Sequence, residues 1–299
     1  MSLSKFSGIS SLTDFDREFP TEQTLIHSMM EAGLLKGKRT CKKCAREMKL
    51  RVRKEQLEWR CRIGKKDCSC KSVKSGSWFQ SSNLSLKTSM KMLIAWVNRY
   101  SGLQIEKELS IGHTTVVDWK NMFRGICAEI ELMYPPIGGE GKIVEIDETC
   151  VHGRKYGRGK VMTEQLWVYE GVERGSRRSF MGIVPDRSAR TLLPILKRHV
   201  DSRSTIISDQ WKSYATIKNH FQRHETINHS NQFQRFADDG LDVNTNSIEA
   251  LWTRLKDPLK KANGTSDELL PSYISEKVVR EREGDNFFFR ILEHIKVRQ

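Results

Sequence analysis

Lys142-Ile143-Val144-Glu145-Ile146-Asp147-Glu148-Thr149 decides how the second half of this chain is read. The segment reads as a strand that carries an aspartate, Asp147, near its end. Working outward, Gln165–Val172 and Arg178–Val184 read as two further strands and Ser188–Val200 as a helix. Ser204–Ser208, with Thr-Ile-Ile at its centre, is a buried type of strand that ends at Asp209. A helix over Gln210–Asn219 and a short strand over Glu225–Asn228 follow. A long helix over Thr245–Lys260 then places Ile248, Leu251, Trp252, Leu255 and Leu259 on one face. The element order is βββαβαβα.

That order is the ribonuclease H-like arrangement, in which the first and fourth strands are neighbours in the centre of the sheet. Asp147 and Asp209 then lie side by side, and Glu249, early in the last helix, reaches the same point. Taken singly, Asp147 reads as a strand-end cap, Asp209 as an N-cap and Glu249 as a surface residue; their joint placement argues for a site. Clustered carboxylates repel one another and gain proton affinity unless a cation neutralises them. Oxygen ligands with open positions suit Mg²⁺ or Mn²⁺. Two such ions can clamp a phosphodiester for in-line attack by water or a 3′-hydroxyl.

The first half differs in charge. The chain of 299 residues carries a net +14, and residues 36–74 hold sixteen Lys/Arg against four Asp/Glu, almost the whole excess. A basic stretch without an apolar face points to a polyanion, nucleic acid above all. Arg51, Arg53 and Lys54 are its candidate phosphate contacts. Five of the seven cysteines fall within residues 41–70. Cys41 and Cys44 form one CxxC knuckle, and Cys61 and Cys68 complete a candidate zinc ribbon, with Cys70 as the alternative to Cys68. One structural Zn²⁺ is expected, because this segment lacks apolar residues to bury.

Residues 85–133 read as helices. Met90, Leu93, Ile94 and Val97 repeat at helical spacing, Gly102 breaks the chain, and Leu103–Leu109 is short. After the Ser110-Ile111-Gly112 turn, a longer helix carries Val116, Trp119, Phe123, Ile126 and Ile130 inward. This is a helix-turn-helix pattern whose last helix would enter a DNA major groove with His113, Thr114, Thr115 and Asp118. The breaker cluster Pro135-Pro136-Ile137-Gly138-Gly139 marks a boundary. The expected organisation is multidomain α+β: a helical lead-in (1–38) with a Thr21-capped helix, a zinc ribbon (39–82), a helix-turn-helix (83–134), a ribonuclease H-like catalytic domain (140–262) and a helical tail (263–299).

Several dispersed segments carry a family resemblance. Val144-Glu-Ile-Asp-Glu-Thr149, Leu166-Trp-Val-Tyr-Glu-Gly-Val-Glu-Arg174, Pro185-Asp-Arg-Ser-Ala189, Ile206-Ile-Ser-Asp-Gln-Trp211, Ile227-Asn-His-Ser230 and Asn246-Ser-Ile-Glu-Ala-Leu-Trp252 together resemble the Merlin superfamily of DNA transposons and related bacterial insertion sequences. Arg17-Glu-Phe-Pro-Thr21, Trp59-Arg-Cys61 and Gly76-Ser-Trp-Phe79 extend the likeness upstream. It implies a cut-and-paste DDE transposase with Asp147, Asp209 and Glu249 as its triad. Such an enzyme cleaves double-stranded DNA at terminal inverted repeats and joins 3′ ends to target DNA. Because two ends must be held together, at least a homodimer is expected. Cys150 and His152 after the first aspartate, and the stretched second cysteine knuckle, depart from the family pattern.

The glycine-rich loop after the first strand offers Arg154, Lys155, Arg158 and Lys160 to DNA phosphates, or is a plain solvated hairpin. Trp211 either stacks on an unpaired base or packs in the core. His229 positions a scissile phosphate or water, or caps a loop. No apolar run approaches the length of a membrane span and no secretory leader is visible, so neither a membrane nor an exported protein is expected. The expected setting is the nucleus in a eukaryotic host and the cytoplasm otherwise. Two rival readings share most of these features. One is a domesticated DNA-binding protein without transposition activity; the other is a nuclease of the same fold that needs no terminal repeat.

Overall fold

The computed structural model describes residues 3–53, 56–63, 66–152, 166–228, 234–252 and 268–297. These fall into two compact units, Met1–Ile126 with Asp285–Gln299, and Cys127–Gly284. The division lies inside a helix, and the Pro135–Gly139 breaker cluster belongs wholly to the second unit. Ile137, fully buried, bridges to Val200 there.

In the first unit, α1 (Leu12–Glu18) and α2 (Glu22–Glu31) form the lead-in. Thr21 caps α2 reciprocally with Thr24, so two orphan donors of the first turn are satisfied. Three antiparallel strands follow, β1 (Lys49–Arg53), β2 (Gln56–Ile63) and β3 (Lys66–Ser72). Then come α3 (Leu86–Val97), α4 (Gly102–Leu109) and α5 (His113–Glu131). The chain breaks at Arg99, which adopts positive φ, and Gly102 opens α4 under a Ser101 cap instead of breaking it. Val116, Trp119, Phe123, Ile126 and Ile130 of α5 are all buried, as their spacing requires. Phe123 stacks on both Trp78 and Trp96. The last helix, α9 (Phe287–Val297), returns to this unit and sets Phe287 against Trp96, with ring centroids 5.3 Å apart.

The second unit is built on a five-stranded mixed sheet. Its strands are β4 (Ile143–His152), β5 (Leu166–Glu173), β6 (Ser179–Val184), β7 (Thr205–Asp209) and β8 (Arg223–Ile227), in the spatial order β6-β5-β4-β7-β8. The first three pair antiparallel, and β7 and β8 join in parallel after the crossover helix α6 (Ala189–His199). The first and fourth strands of the unit are thus central neighbours, as the element order demands.

Alternation along β4 splits its side chains between the two faces. Val144 and Ile146 join Tyr169, Phe180, Leu192 and Leu196 in a core under α6. Glu145 and Asp147 point to the opposite face. There Val168, Val172 and Met181 pack against α7 (residues 246–252 as described) and α8 (Leu270–Glu283). The C-terminal segment therefore contributes α8 to the sheet's second layer. Leu255, Leu259 and the rest of the helix expected to Lys260 lie outside the described residues.

One expected element is corrected. Residues 210–219 form two 3₁₀ turns, Lys212–Tyr214 and Ile217–Asn219, and not an α-helix. Their buried residues, Tyr214 and Ile217, are three apart. That spacing eclipses in a 3₁₀ turn, and β-branched Thr216 and Ile217 add little helix propensity. A small hairpin, β9 (Arg235–Phe236) with β10 (Asp242–Val243), follows β8.

Gly171 on β5 lies opposite Phe180 on β6. A Cβ placed there would meet the Phe180 ring at 2.1 Å, and the buried ring is stacked on His199 and cannot swing away. Gly171→Ala should therefore cost about 1–3 kcal/mol. Gly182→Ala on β6, where a Cβ meets nothing within 4 Å, is the control. Thermal melts of the two variants should separate clearly; equal melting would refute the packing assigned to Phe180.

Candidate active site and cysteine centre

Parallel pairing of β4 with β7 sets Ile143 beside Thr205, Val144 beside Ile206 and Glu145 beside Ile207. Carried two residues further, the same register brings Asp147 level with Asp209, the last residue of β7. Asp147 is buried, and its carboxylate accepts the Glu148 amide at 2.6 Å. Burial pushes its pKa up to about 8, against the pull of that amide, and the charges of Asp209 and Glu148 push the same way. Asp209 is half-buried and accepts the Trp211 amide at 2.9 Å, which fixes its rotamer at the strand end. Two acidic groups thus share one end of the central strand pair, and one of them is protonated or cation-bound near neutral pH.

Glu249 arrives from α7. The helix buries Ile248 and Leu251 against the sheet, and Glu249 stands between them on the exposed side. Its start is fastened to β4 by Glu145, which accepts the Ser247 and Ile248 amides at 2.8 and 3.1 Å. Glu145 is on the same strand face as Asp147. The structure therefore brings Asp147 and Asp209 together directly and carries Glu249 on a helix tied to the same strand. Among the described residues, the four cysteines below are the single group of three or more candidate ligands whose ligand atoms all lie within 4.8 Å of one another.

Sequence reasoning missed the cations and anions around this pair. Arg187 donates to Glu148 at 3.0 Å and counters the charge at Asp147. Its guanidinium lies between two indoles, 4.6 Å from the Trp167 centroid and 4.3 Å from that of Trp211. This sandwich holds a planar cation in one orientation. Trp211 itself packs against the α6-side core and donates its indole N–H to the Arg187 carbonyl at 3.1 Å. Glu148, Tyr169 and Tyr214 are buried below, and burial raises the pKa of each. The available signal was the run Glu145, Asp147, Glu148 inside an apolar strand, since buried charges demand partners.

In the first unit, Cys41 and Cys44 sit on a tight turn in which Cys41 N–H bonds the Arg46 carbonyl and Ala45 takes positive φ. Cys61 comes from β2 and Cys68 from β3. Cys61 pairs with Ser69, while Arg62 pairs with Asp67, so Cys68 is the extra residue of a β-bulge. A bulge re-aims a side chain, and this one turns Cys68 into the cluster. All four sulfurs lie within 4.8 Å of one another, with Cys41 and Cys68 3.8 Å apart and Cys44 and Cys61 3.3 Å apart. Cys70 is exposed and pairs with Arg60 outside the group. The Cys41 thiol is pulled down to about 6, first by the Ser69 hydroxyl, and Cys61 is pushed up to about 12, first by its contact with Cys44.

Of the candidate DNA contacts, Arg51 and Arg53 are exposed on β1. His113 and Thr114 are exposed at the start of α5, and Thr115 is half-buried. His113 Nδ1 lies 2.8 Å from a Glu106 carboxylate oxygen. Lys54, Arg154, Lys155, Arg158, Lys160 and His229 lie outside the described residues.

Residues 138–281 match the model of the ISXO2-like transposase domain, of the DDE type. A transposase-like protein of Haemophilus influenzae, itself uncharacterized, is 32% identical over 94 residues, which are 31% of this chain and 72% of the relative. Among solved structures, the simian T-cell lymphotropic virus intasome in complex with PP2A regulatory subunit B56 gamma aligns at 13% identity and a TM-score of 0.31, over 63% of this chain and 67% of that one. The mariner Mos1 paired end complex with Mg aligns at 12% and 0.29, over 69% of this chain and 75% of that one. Likeness at such scores carries no structural argument. The sequence matches do: the family match runs over residues 138–281, from before β4 into α8 and through the segments that carry Asp147, Asp209 and Glu249, and the chain belongs to the ISXO2-like family of DDE transposases.

Proposed function

We propose that this protein is a cut-and-paste DNA transposase whose second unit is a ribonuclease H-like catalytic domain. The observation that carries the reading is the nearness of Asp147 and Asp209, each two residues beyond the last β4–β7 pair of Glu145 with Ile207, with the Asp147 pKa raised to about 8. Such a pair is unfavourable unless it serves a cation, and the carboxylates offer the hard oxygen donors that Mg²⁺ or Mn²⁺ prefers. Asp147, Asp209 and Glu249 would hold two such ions. When bound, these supply charge neutralisation at the scissile phosphate and activation of the attacking oxygen. The chain's own part is positional. The β4–β7 register spaces the two aspartates, α7 delivers Glu249, and the Trp-flanked Arg187 keeps a fixed positive charge beside Asp147. The substrate reaction is hydrolysis at a transposon end, followed by attack of the freed 3′-hydroxyl on target DNA.

The first unit supplies the grip on DNA. Four thiolates suit Zn²⁺, and a tetrahedral ZnS₄ unit with Zn–S near 2.3 Å spaces its sulfurs about 3.8 Å apart. The Cys41–Cys68 separation of 3.8 Å matches that spacing, the Cys44–Cys61 separation of 3.3 Å is shorter, and all four sulfurs lie within 4.8 Å of one another. On this reading Arg51, Arg53 and Lys54 contact phosphates, and α3 to α5 act as a helix-turn-helix with His113, Thr114 and Thr115 at the groove. Arg154, Lys155, Arg158 and Lys160 would contact DNA beside the active site. At least two copies are needed to synapse two ends. The setting is the nucleus in a eukaryotic host and the cytoplasm otherwise.

Cys44→Ser should lose stoichiometric zinc and with it DNA-end affinity, whereas Cys127→Ser, a buried thiol remote in sequence from the cluster, should keep both. Metal analysis beside a binding titration reads this. A Cys44→Ser protein that binds DNA ends normally would remove the ribbon from the account.

The catalytic reading is tested on Asp147→Asn, Asp209→Asn and Glu249→Gln with the transposon's own end sequences. Asp209→Asn and Glu249→Gln each remove a negative charge, and Asp147→Asn replaces a carboxyl whose pKa is already raised to about 8, all at nearly constant shape, so metal-free melting should hold or rise slightly and end affinity should persist. Cleavage and strand transfer should both fall by at least about a hundredfold. A variant that cleaves at the wild-type rate in Mg²⁺ excludes its residue from the triad.

A further inference from the structure

Glu145 is fully buried, two residues before Asp147 on the same face of β4, and its carboxylate is engaged entirely by other parts of the unit. Oε1 accepts Arg174 Nε at 2.7 Å and the Ser247 hydroxyl at 2.9 Å. Oε2 accepts the backbone amides of Ser247 and Ile248. Arg174, at the end of β5, donates from its two remaining nitrogens to the carbonyls of Asp242 (2.7 Å) and Asn244 (2.9 Å). One buried ion pair thereby gathers the central strand, its antiparallel neighbour, the end of β10 and the first turn of α7.

A helix normally satisfies its first-turn amides with its own N-cap side chain. Here an acid from the sheet accepts two of them, and two consecutive amides fix both the axial position and the rotation of α7. The carboxylate also lies at the end of the helix where negative charge is favoured. Glu249 follows Ile248 directly, so its placement relative to Asp147 is set through two residues of β4 and one of α7. A generic packing contact would hold the helix against the sheet without defining its rotation. Functional groups need placement to within about 0.5 Å, and the bidentate contact supplies a constraint of that kind.

We propose that Glu145 and Arg174 are positioning residues that set Glu249 against Asp147 and Asp209, an inference that rests on the reading of those three as the divalent-metal site. It is tested on the full chain with Glu145→Gln, Arg174→Lys and the double variant Glu145→Gln/Glu249→Gln, by hydrogen exchange and by calorimetric titration with MnCl₂. The side-chain amide introduced by Glu145→Gln would face the Ser247 and Ile248 amides with a donor in place of one acceptor. Exchange in peptides spanning 245–252 should rise about tenfold or more while α8 keeps its protection, and Mn²⁺ affinity should fall roughly tenfold or more. Because Glu145 acts through Glu249, the double variant should bind Mn²⁺ no more weakly than Glu249→Gln alone. Arg174→Lys should move both readouts in the same direction by a smaller amount, and it carries the test should Glu145→Gln fail to fold. Wild-type Mn²⁺ affinity in both single variants, fully additive losses in the double variant, or loss of α8 protection together with α7 would each overturn the proposal. Failure of the metal reading is a separate result: the wild-type chain itself would then take up no Mn²⁺ at Asp147, whereas failure of the positioning role leaves wild-type binding intact and insensitive to Glu145.

Discussion

Parallel pairing between β4 and β7 places two carboxylates level with each other at one end of the sheet, and much of the second unit bears on that fact. Strand pairing is a strong, directional constraint: slipping it by one residue would turn Asp209 to the opposite face. Val144, Ile146 and Ile206 resist such a slip, because all three are fully buried in the core under α6. Apolar burial on one face therefore holds the electrostatic arrangement on the other. Hydrophobic packing supplies the free energy that offsets the unfavourable carboxylate pair.

The other acids of β4 are matched to partners. Glu145 is paired with Arg174 and with helix amides. Glu148, next to Asp147, is paired with Arg187. Breaking either ion pair would strand a buried charge, an effect of about 3–5 kcal/mol. Asp147 differs from both in its partners: among the described residues its carboxylate accepts a backbone amide and is in no ion pair, and the nearby Arg187 is already engaged by Glu148 and two indoles. A buried acid beside a second carboxylate and outside any ion pair is a candidate functional group, whereas Glu145 and Glu148 have structural partners.

Much of this was legible in the residues, and the exceptions have physical causes. The five strands, α6 and the start of α7 follow from alternation and helical spacing, as do the inward faces of α3 and α5. Spacing favours Cys68 but leaves Cys70 open, because the choice depends on a one-residue bulge that shifts the register after Cys61. The 3₁₀ turns after Asp209 escaped because Tyr214 and Ile217 fit a three-residue repeat as well as an α-helical one. Glu145 and Arg174 escaped because their partners include the backbone of a segment far downstream, about a hundred residues away in the case of Glu145, and backbone partners leave no trace in side-chain pattern. The tail divides between the units, with α8 on the sheet and α9 against Trp96, a destination that its apolar spacing alone does not reveal.

The central claim is that Asp147 and Asp209 together form a divalent-cation site that Glu249 completes. Anomalous diffraction from crystals of the full chain grown with Mn²⁺ and a terminal-repeat duplex tests it most directly. The account predicts manganese held by the Asp147 and Asp209 carboxylates, with Glu249 as a further ligand. Manganese elsewhere in the catalytic unit, or a pair of aspartates that hydrogen-bond only to protein with no peak between them, would contradict it.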